Sequence, residues 1–178
     1  MCATTRELAA TAPMVADSKL LRPSMRATLA VQIQNWAPTA VGAATAREID
    51  EMGMAAALRL AASRALAQLQ DAGVTITCVM QDGSASWLPE TIGSDVECLI
   101  QPKLDLTSAT CAAASIVAKE HRDELMREIG SRYPSWPALA SSAGYGTKAH
   151  EEQIRLHGLC DEHRKSWSFA QRLAPGGT

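Results

Sequence analysis

An α/β domain is what this sequence predicts, and three features predict it. Val74-Thr-Ile-Thr-Cys-Val-Met80 is a β-branched run bounded by turn signals, and Val96 to Ile100 forms a second strand candidate. Helical segments with recognisable start signals flank both. The chain has 178 residues and no internal repeat, which fits one domain able to bury a sizeable core.

Aromatics make up only 4% of the residues, so Ala, Leu, Ile, Val and Met must fill that core. A net charge of −2 gives no bulk attraction to nucleic acid, and any such binding must come from a local patch. The five cysteines (Cys2, Cys78, Cys98, Cys111, Cys160) are odd in number and lack C-x-x-C spacing. That pattern fits reduced thiols of a cytoplasmic protein better than a disulfide framework. No apolar run is long enough to span a bilayer, and the first residues do not read as a signal peptide.

Residues 1–16 are expected to form a helix turn or a loose arm. Val15-Ala16-Asp17-Ser18-Lys19-Leu20-Leu21 then sets an acid, a hydroxyl and a base side by side. Pro23 suits the first turn of a helix carrying Met25, Leu29, Ile33 and Trp36, which ends before Pro38. Residues 40–44 are a short strand candidate built of small residues. Thr45 and Glu48 make a capping box, a longer Ala/Leu helix runs from about Met54 to Gln70, and Gly73 ends it. The strand 74–80 stops at Gln81-Asp82-Gly83-Ser84, presenting a carboxylate at its carboxyl end, where open α/β sheets usually place ligands.

Gln101 to Asp123 organises the rest. Asp105 stands just ahead of Thr107 and Ser108, either of which can cap the helix that follows. That helix opens with Ala109 and Cys111 to Ser115, small enough for close approach to another backbone, and runs to Gly130. Tyr133-Pro134-Ser135-Trp136-Pro137 breaks it. A loop Ala143-Gly144-Tyr145-Gly146-Thr147, a helix from Lys148 to about His157 and a tail through Phe169 complete the chain. The expected boundaries are an arm at 1–16, an α/β body at 17–142 and a helical extension of the same domain at 143–178.

Asp82 and Asp105 sit at the ends of two elements and can converge on one hard cation such as Mg2+. Taken alone, Asp82-Gly83 is a turn dipeptide and Asp105 an acid favouring a helix N-terminus. Tyr145 between Gly144 and Gly146, with Lys148, His150, Arg155, Arg164 and Lys165 nearby, offers an aromatic platform among bases, as in grips on single strands and hybrids. An ordinary Gly-rich turn explains the same residues. The spacing His150-x6-His157-x2-Cys160-x2-His163 matches no standard zinc pattern.

In combination, these pieces resemble bacterial ribonuclease H type 2 (ribonuclease HII). Asp17-Ser18-Lys19-x-Leu21, Glu48-Ile49-Asp50, Asp82-Gly83-Ser84 and Asp105, ten residues before Ser115 of Ala-Ala-Ala-Ser-Ile-Val-Ala-Lys, resemble the family's motifs in their order and distances. Arg122-Asp123-x-Leu125-Met126, Gly144-Tyr145-Gly146-Thr147-x-x-His150 and His163-Arg164-x-Ser166 continue the match. The resemblance implies a ribonuclease H-like mixed sheet flanked by helices with a helical C-terminal region. It implies hydrolysis of the RNA strand of RNA–DNA hybrids, and of DNA at embedded ribonucleotides, by four carboxylates with Mg2+ or Mn2+. Asp82 and Asp105 would be catalytic metal ligands. Tyr145 would pack on the sugar after the ribonucleotide, with Gly144, Gly146 and Thr147 around it. Lys19 would support a phosphate contact, and Asp17, Ser18, Lys119 and Arg164 would also meet the substrate.

The sequence departs from that pattern at its start. The family opens with a strand carrying an Asp-Glu pair, a Gly-Arg-Gly loop and a second strand; only sixteen residues precede Asp17, and they hold neither motif. Ser142-Ala143 replaces a usual His-Lys pair. The expectation is therefore an N-terminally incomplete member without the first two strands. Its fourth family strand would have an exposed edge, a liability toward self-association in a protein that would otherwise be monomeric. Two other readings stand beside the endonuclease: a non-catalytic nucleic-acid binder using Tyr145, and a helical interaction protein.

Overall fold

A computed structural model describes residues 1–13, 22–88 and 92–175. The helices are α1 (Arg6–Ala9), α2 (Pro23–Trp36), α3 (Ala46–Asp71), α4 (Ala109–Arg132), α5 (Pro137–Ser141), α6 (Lys148–His157) and α7 (Ser168–Leu173). The strands β1 (Cys78–Asp82) and β2 (Glu97–Gln101) pair in parallel, with Met80 opposite Leu99 and Asp82 opposite Gln101. A 3-10 turn, Leu104–Leu106, precedes α4. The class is mixed α/β, as expected.

Two compact units are present: Met1–Ala43 with Leu58–Glu120, and Ala44–Ala57 with His121–Thr178.

In the first unit Pro23 opens α2, as its fixed φ favours. The buried face of α2 is Arg26, Ala30 and Ile33, whereas Met25 is 54% exposed. Of the expected Met25, Leu29, Ile33 and Trp36, the last three pack on the core and Met25 does not. Arg26 lies inside because its Nε meets Glu120 of α4 at 3.1 Å. Ala30 and Ile33 pack on Ala113, Ile116 and Val117, so the small residues opening α4 do permit a close approach. Ile33 and Ile116 are fully buried, each stabilising the fold by about 1.5–3 kcal/mol.

The close of α3 follows its sequence signal. Gly73 takes φ 80°, its N–H donates to Gln70 O, and the Val74 N–H reaches back to Leu69 O. Val74 and Leu69 then share a cluster with Ala40 and Ala65. Residues 74–77 therefore lead into the strand, and the ladder runs from Cys78 to Asp82, not from Val74 to Met80.

Residues 40–44 are not a strand. Gly42 instead lies against α3, where an added Cβ would fall 1.9 Å from Ala61 O, and among the described residues no strand lies beside it to pair with. An antiparallel bridge joins Cys2 to Thr39, with Ala3 N–H donating to Pro38 O and Ala40 N–H to Met1 O. The opening residues form α1, capped by Thr5, and Trp36 Nε1 donates to Leu8 O.

The outer edge of β1 pairs with no strand among the described residues. Parallel sheets usually have both faces covered. Here Met80 and Leu99 are 38% and 45% exposed, and Cys78 and Cys98 are exposed. A cavity of about 640 Å³ lies along β1, lined by Cys2, Ile76, Met80, Trp87, Cys111 and Ala114 among others.

In the second unit, Thr45 and Glu48 complete the predicted capping box: Thr45 N–H donates to Glu48 Oε2 and Glu48 N–H to Thr45 Oγ1. Gly53 breaks the helical path within α3 at φ 79°. Ile129, Leu139 and Cys160 form the core, with Tyr133 and Trp136 against it.

Among the described residues no helix is long and apolar enough to cross a membrane.

Candidate functional site

In the first unit, Asp82 stands at the carboxyl end of β1, where the backbone turns out of the ladder through Gly83. Its Oδ1 accepts the Leu104 N–H at 3.0 Å. Leu104 immediately precedes Asp105 in the 3-10 turn, so the bond anchors the peptide beside the second carboxylate to the first. Lys103, at φ 64°, makes the turn that allows this. Ser108 then caps α4 by accepting the Cys111 N–H, leaving Asp105 out of the helix and half-buried.

Both acids act on one neighbour. Burial pushes the Cys111 thiol above its ordinary range, and the charges of Asp82 and Asp105 push it further, against a hydrogen bond with Ser108. This thiol stays protonated and is a packing group rather than a nucleophile. Asp82 uses one of roughly four acceptor positions.

In the second unit, the Tyr145 loop is built on two left-handed residues, Ala143 (φ 49°) and Gly144 (φ 70°). A Cβ at Gly144 would also collide with the Met126 methyl at 2.7 Å. Arg122 holds the loop twice: its Nη2 donates to Ala143 O at 2.8 Å, and its guanidinium lies 4.6 Å from the centre of the Tyr145 ring. The ring is still 54% exposed. Thr147 caps α6 by accepting the His150 N–H. Sequence reasoning gives Arg122 no role at Tyr145; its only signal is the Arg-Asp pair on a helix, 23 positions away.

The other expected site residues lie on separate segments of the chain. Asp17, Ser18 and Lys19 lie outside the described residues. Lys119 is half-buried on α4 in the first unit. Arg164 is exposed in the second unit, stacked on Trp167 at 4.5 Å.

Asp50 is fully engaged by the protein itself. It accepts the Lys165 N–H at 2.7 Å, the Ser166 N–H at 3.1 Å and the Ser166 hydroxyl at 2.5 Å. Burial pushes its carboxyl up, but the Ser166 and Lys165 hydrogen bonds and the Lys165 charge leave it below the ordinary range.

His150, Cys160 and His163 come together and bond to one another, while the exposed His157 stacks edge-on against Trp136. Among the described residues no three His, Cys, Asp or Glu groups are arranged to hold a metal.

A family model described as Ribonuclease HII matches residues 1–170. The chain is 37% identical over 158 residues to Ribonuclease HII of Streptomyces avermitilis, covering 88% of this chain and 64% of that one. To Ribonuclease HII of Thermus thermophilus it is 39% identical over 153 residues, covering 85% of this chain and 70% of that protein. The fold also resembles the crystal structure of ribonuclease H2 from Pyrococcus horikoshii, with a TM-score of 0.67 at 21% identity, over 88% of this chain and 78% of that one. The chain thus spans somewhat under two thirds of the length of the Streptomyces relative.

Proposed function

This chain belongs to the ribonuclease HII family, and on that premise we propose that it is an endonuclease for the RNA strand of RNA–DNA hybrids, including ribonucleotides embedded in DNA, with Asp82 and Asp105 as divalent-cation ligands. The observation that carries this reading is the bond from the Leu104 N–H to Asp82 Oδ1, which ties Asp105's own turn to the end of β1. Carboxylate oxygens are hard donors, and Mg2+ or Mn2+ commonly takes one or two of them and completes its shell with water. The spare acceptor positions on Asp82 fit that pattern. A cation bound there would lower the pKa of a bound water and stabilise the departing oxygen.

The protein's own groups bind and orient. Asp82 and Asp105 fix the cation's place. Tyr145, kept rigid by Arg122, offers a ring to a sugar or base, and the hybrid's 2′-hydroxyl is what separates RNA from DNA.

Two carboxylates suit one cation better than two, so this chain on its own is expected to bind Mn2+ at one site and to cleave little or not at all. Paramagnetic broadening by Mn2+ should appear at residues 82–83 and 104–105 and vanish in Asp82→Asn and Asp105→Asn. Broadening elsewhere, or unchanged in both variants, sinks the assignment. Metal-dependent cutting 5′ to a single ribonucleotide, abolished by Asp82→Asn, would overturn only the forecast of inactivity.

The exposed Tyr145 ring also supports a second reading, a non-catalytic hybrid binder. That reading expects salt-sensitive binding indifferent to chelator.

A further inference from the structure

We infer that His150 and His163 are positioning residues which hold the Tyr145 loop through a one-way chain of hydrogen bonds, and that the chain exists only while both rings are uncharged. The inference deepens the proposed function and rests on its use of Tyr145 as a nucleic-acid contact.

The chain runs through three bonds of equal length. Cys160 N–H donates to His163 Nδ1 at 3.0 Å, His163 Nε2 meets His150 Nε2 at 3.0 Å, and His150 Nδ1 meets the Tyr145 carbonyl at 3.0 Å. Both rings are buried: His163 is 8% exposed and His150 5%.

Elementary bonding rules fix every proton. A backbone N–H can only donate, so His163 Nδ1 is the acceptor and its proton sits on Nε2. His163 Nε2–H must then donate to His150 Nε2, which puts the His150 proton on Nδ1. Nδ1–H donates in turn to Tyr145 O, which also accepts the Thr147 N–H at 2.8 Å. No second arrangement satisfies all three bonds. An extra proton on His163 faces the Cys160 N–H, and one on His150 faces the His163 N–H. Either places two donors nose to nose, in a buried site where a lost partner is costly.

The surroundings of His163 favour its neutral form. Burial holds His163 below the ordinary imidazole range, and repulsion from His150 and Lys165 adds to that. The other faces are Cys160, whose thiol lies 3.0 Å from Nδ1 and is itself pushed up by burial, and Trp136, tilted at 6.5 Å. Asp161 and Glu162 act on the Cys160 thiol, and Asp161 holds Lys165. None of the hydrogen bonds at His163 comes from a carboxylate that would stabilise an imidazolium.

The sign of the effect separates this from ordinary electrostatics. A basic surface carrying titrating histidines binds a polyanion more tightly as pH falls. Here His163 is depressed in the folded loop, so the loop is intact above the free-imidazole pKa of about 6.5 and loosens as pH drops below it. Hybrid binding through Tyr145 therefore weakens on acidification.

The experiment has three readouts. Long-range 1H–15N correlation at neutral pH should report the Nε2–H form of His163 and the Nδ1–H form of His150. Hybrid affinity should fall about tenfold between roughly pH 7.5 and pH 5.5, with faster amide exchange at residues 143–147 after correction for intrinsic rates. His163→Gln, which can donate to His150 without titrating, should flatten both profiles. Opposite tautomers, or exchange at 143–147 insensitive to pH, overturn the inference, and wild-type protein decides this even if the variant misfolds. A protein that shows the tautomers and the exchange profile but binds no hybrid at any pH refutes the proposed function and leaves the hydrogen-bond chain standing.

Discussion

Two aspartates, one in each compact unit, show how differently a carboxylate can be employed. Asp50 spends its oxygens on three donors from Lys165 and Ser166. Asp82 takes a single backbone N–H, from Leu104, and is exposed. A carboxylate saturated by the protein is a clasp: it fixes a distant segment, here 115 positions away, and has little left to offer a ligand. A carboxylate left short of donors contributes little to folding and keeps lone pairs for a cation. The same contrast covers their surroundings, since the Tyr145 loop is tied at Ala143, at the Tyr145 carbonyl and across the ring, whereas Asp105 accepts no hydrogen bond among the described residues.

The largest effect should come from cutting the clasp. Asp50→Ala leaves two backbone N–H groups and a hydroxyl without their acceptor; each bond to a charged group is worth about 1.5–3 kcal/mol when shielded. Since the site is half-exposed and water replaces part of that, a loss of about 2 kcal/mol is expected by urea denaturation. The pH sense is fixed by the lowered carboxyl: this stability is present above the unfolded pKa of about 3.9 and disappears as pH falls through the lower folded value. A variant as stable as the parent would mean that Asp50 is as free as Asp82, and the contrast would collapse.

An intermediate effect is expected at Arg122. Arg122→Met keeps the packing stem but loses the bond to Ala143 O and the stacking on Tyr145, together about 1–2 kcal/mol at this partly exposed site. Amide exchange should quicken at residues 143–147 and stay unchanged around Asp82. Faster exchange in both places would show that the two regions are not independently held.

What a sequence discloses divides along the same line. The legible signals act within a few residues: Pro23 opening a helix, the Thr45–Glu48 box, Gly73 closing α3 and Ser108 capping α4. Long-range partners are not legible. Arg26 is buried and meets Glu120, 94 positions on, and nothing local in the sequence announces that pairing. Residues 40–44 have strand-like composition, but a strand needs a neighbour and Gly42 finds a helix instead. The proximity of Asp82 to Asp105's turn is legible, because elements ending on the same side of a sheet deliver their side chains there. The histidine spacing is visible too, but spacing alone does not say that two rings bond to each other and the third stacks on Trp136.

The smallest expected effect on stability is at Asp82, and it is the sharpest test of the comparison. Asn keeps an oxygen able to accept the Leu104 N–H, so Asp82→Asn preserves the one bond the protein makes there while removing the charge a cation needs. Stability should change by less than about 1 kcal/mol, since one retained hydrogen bond on an exposed side chain leaves little to lose. Removing a negative charge near Asp105 can even stabilise the fold slightly. The thiol of Cys111 offers an internal check: with one of its two carboxylate neighbours neutral, it should titrate at lower pH, measurable by alkylation rate. Should Asp82→Asn instead cost as much as Asp50→Ala, Asp82 is a second clasp, its charge serves the fold, and the case for a cation at the end of β1 is lost.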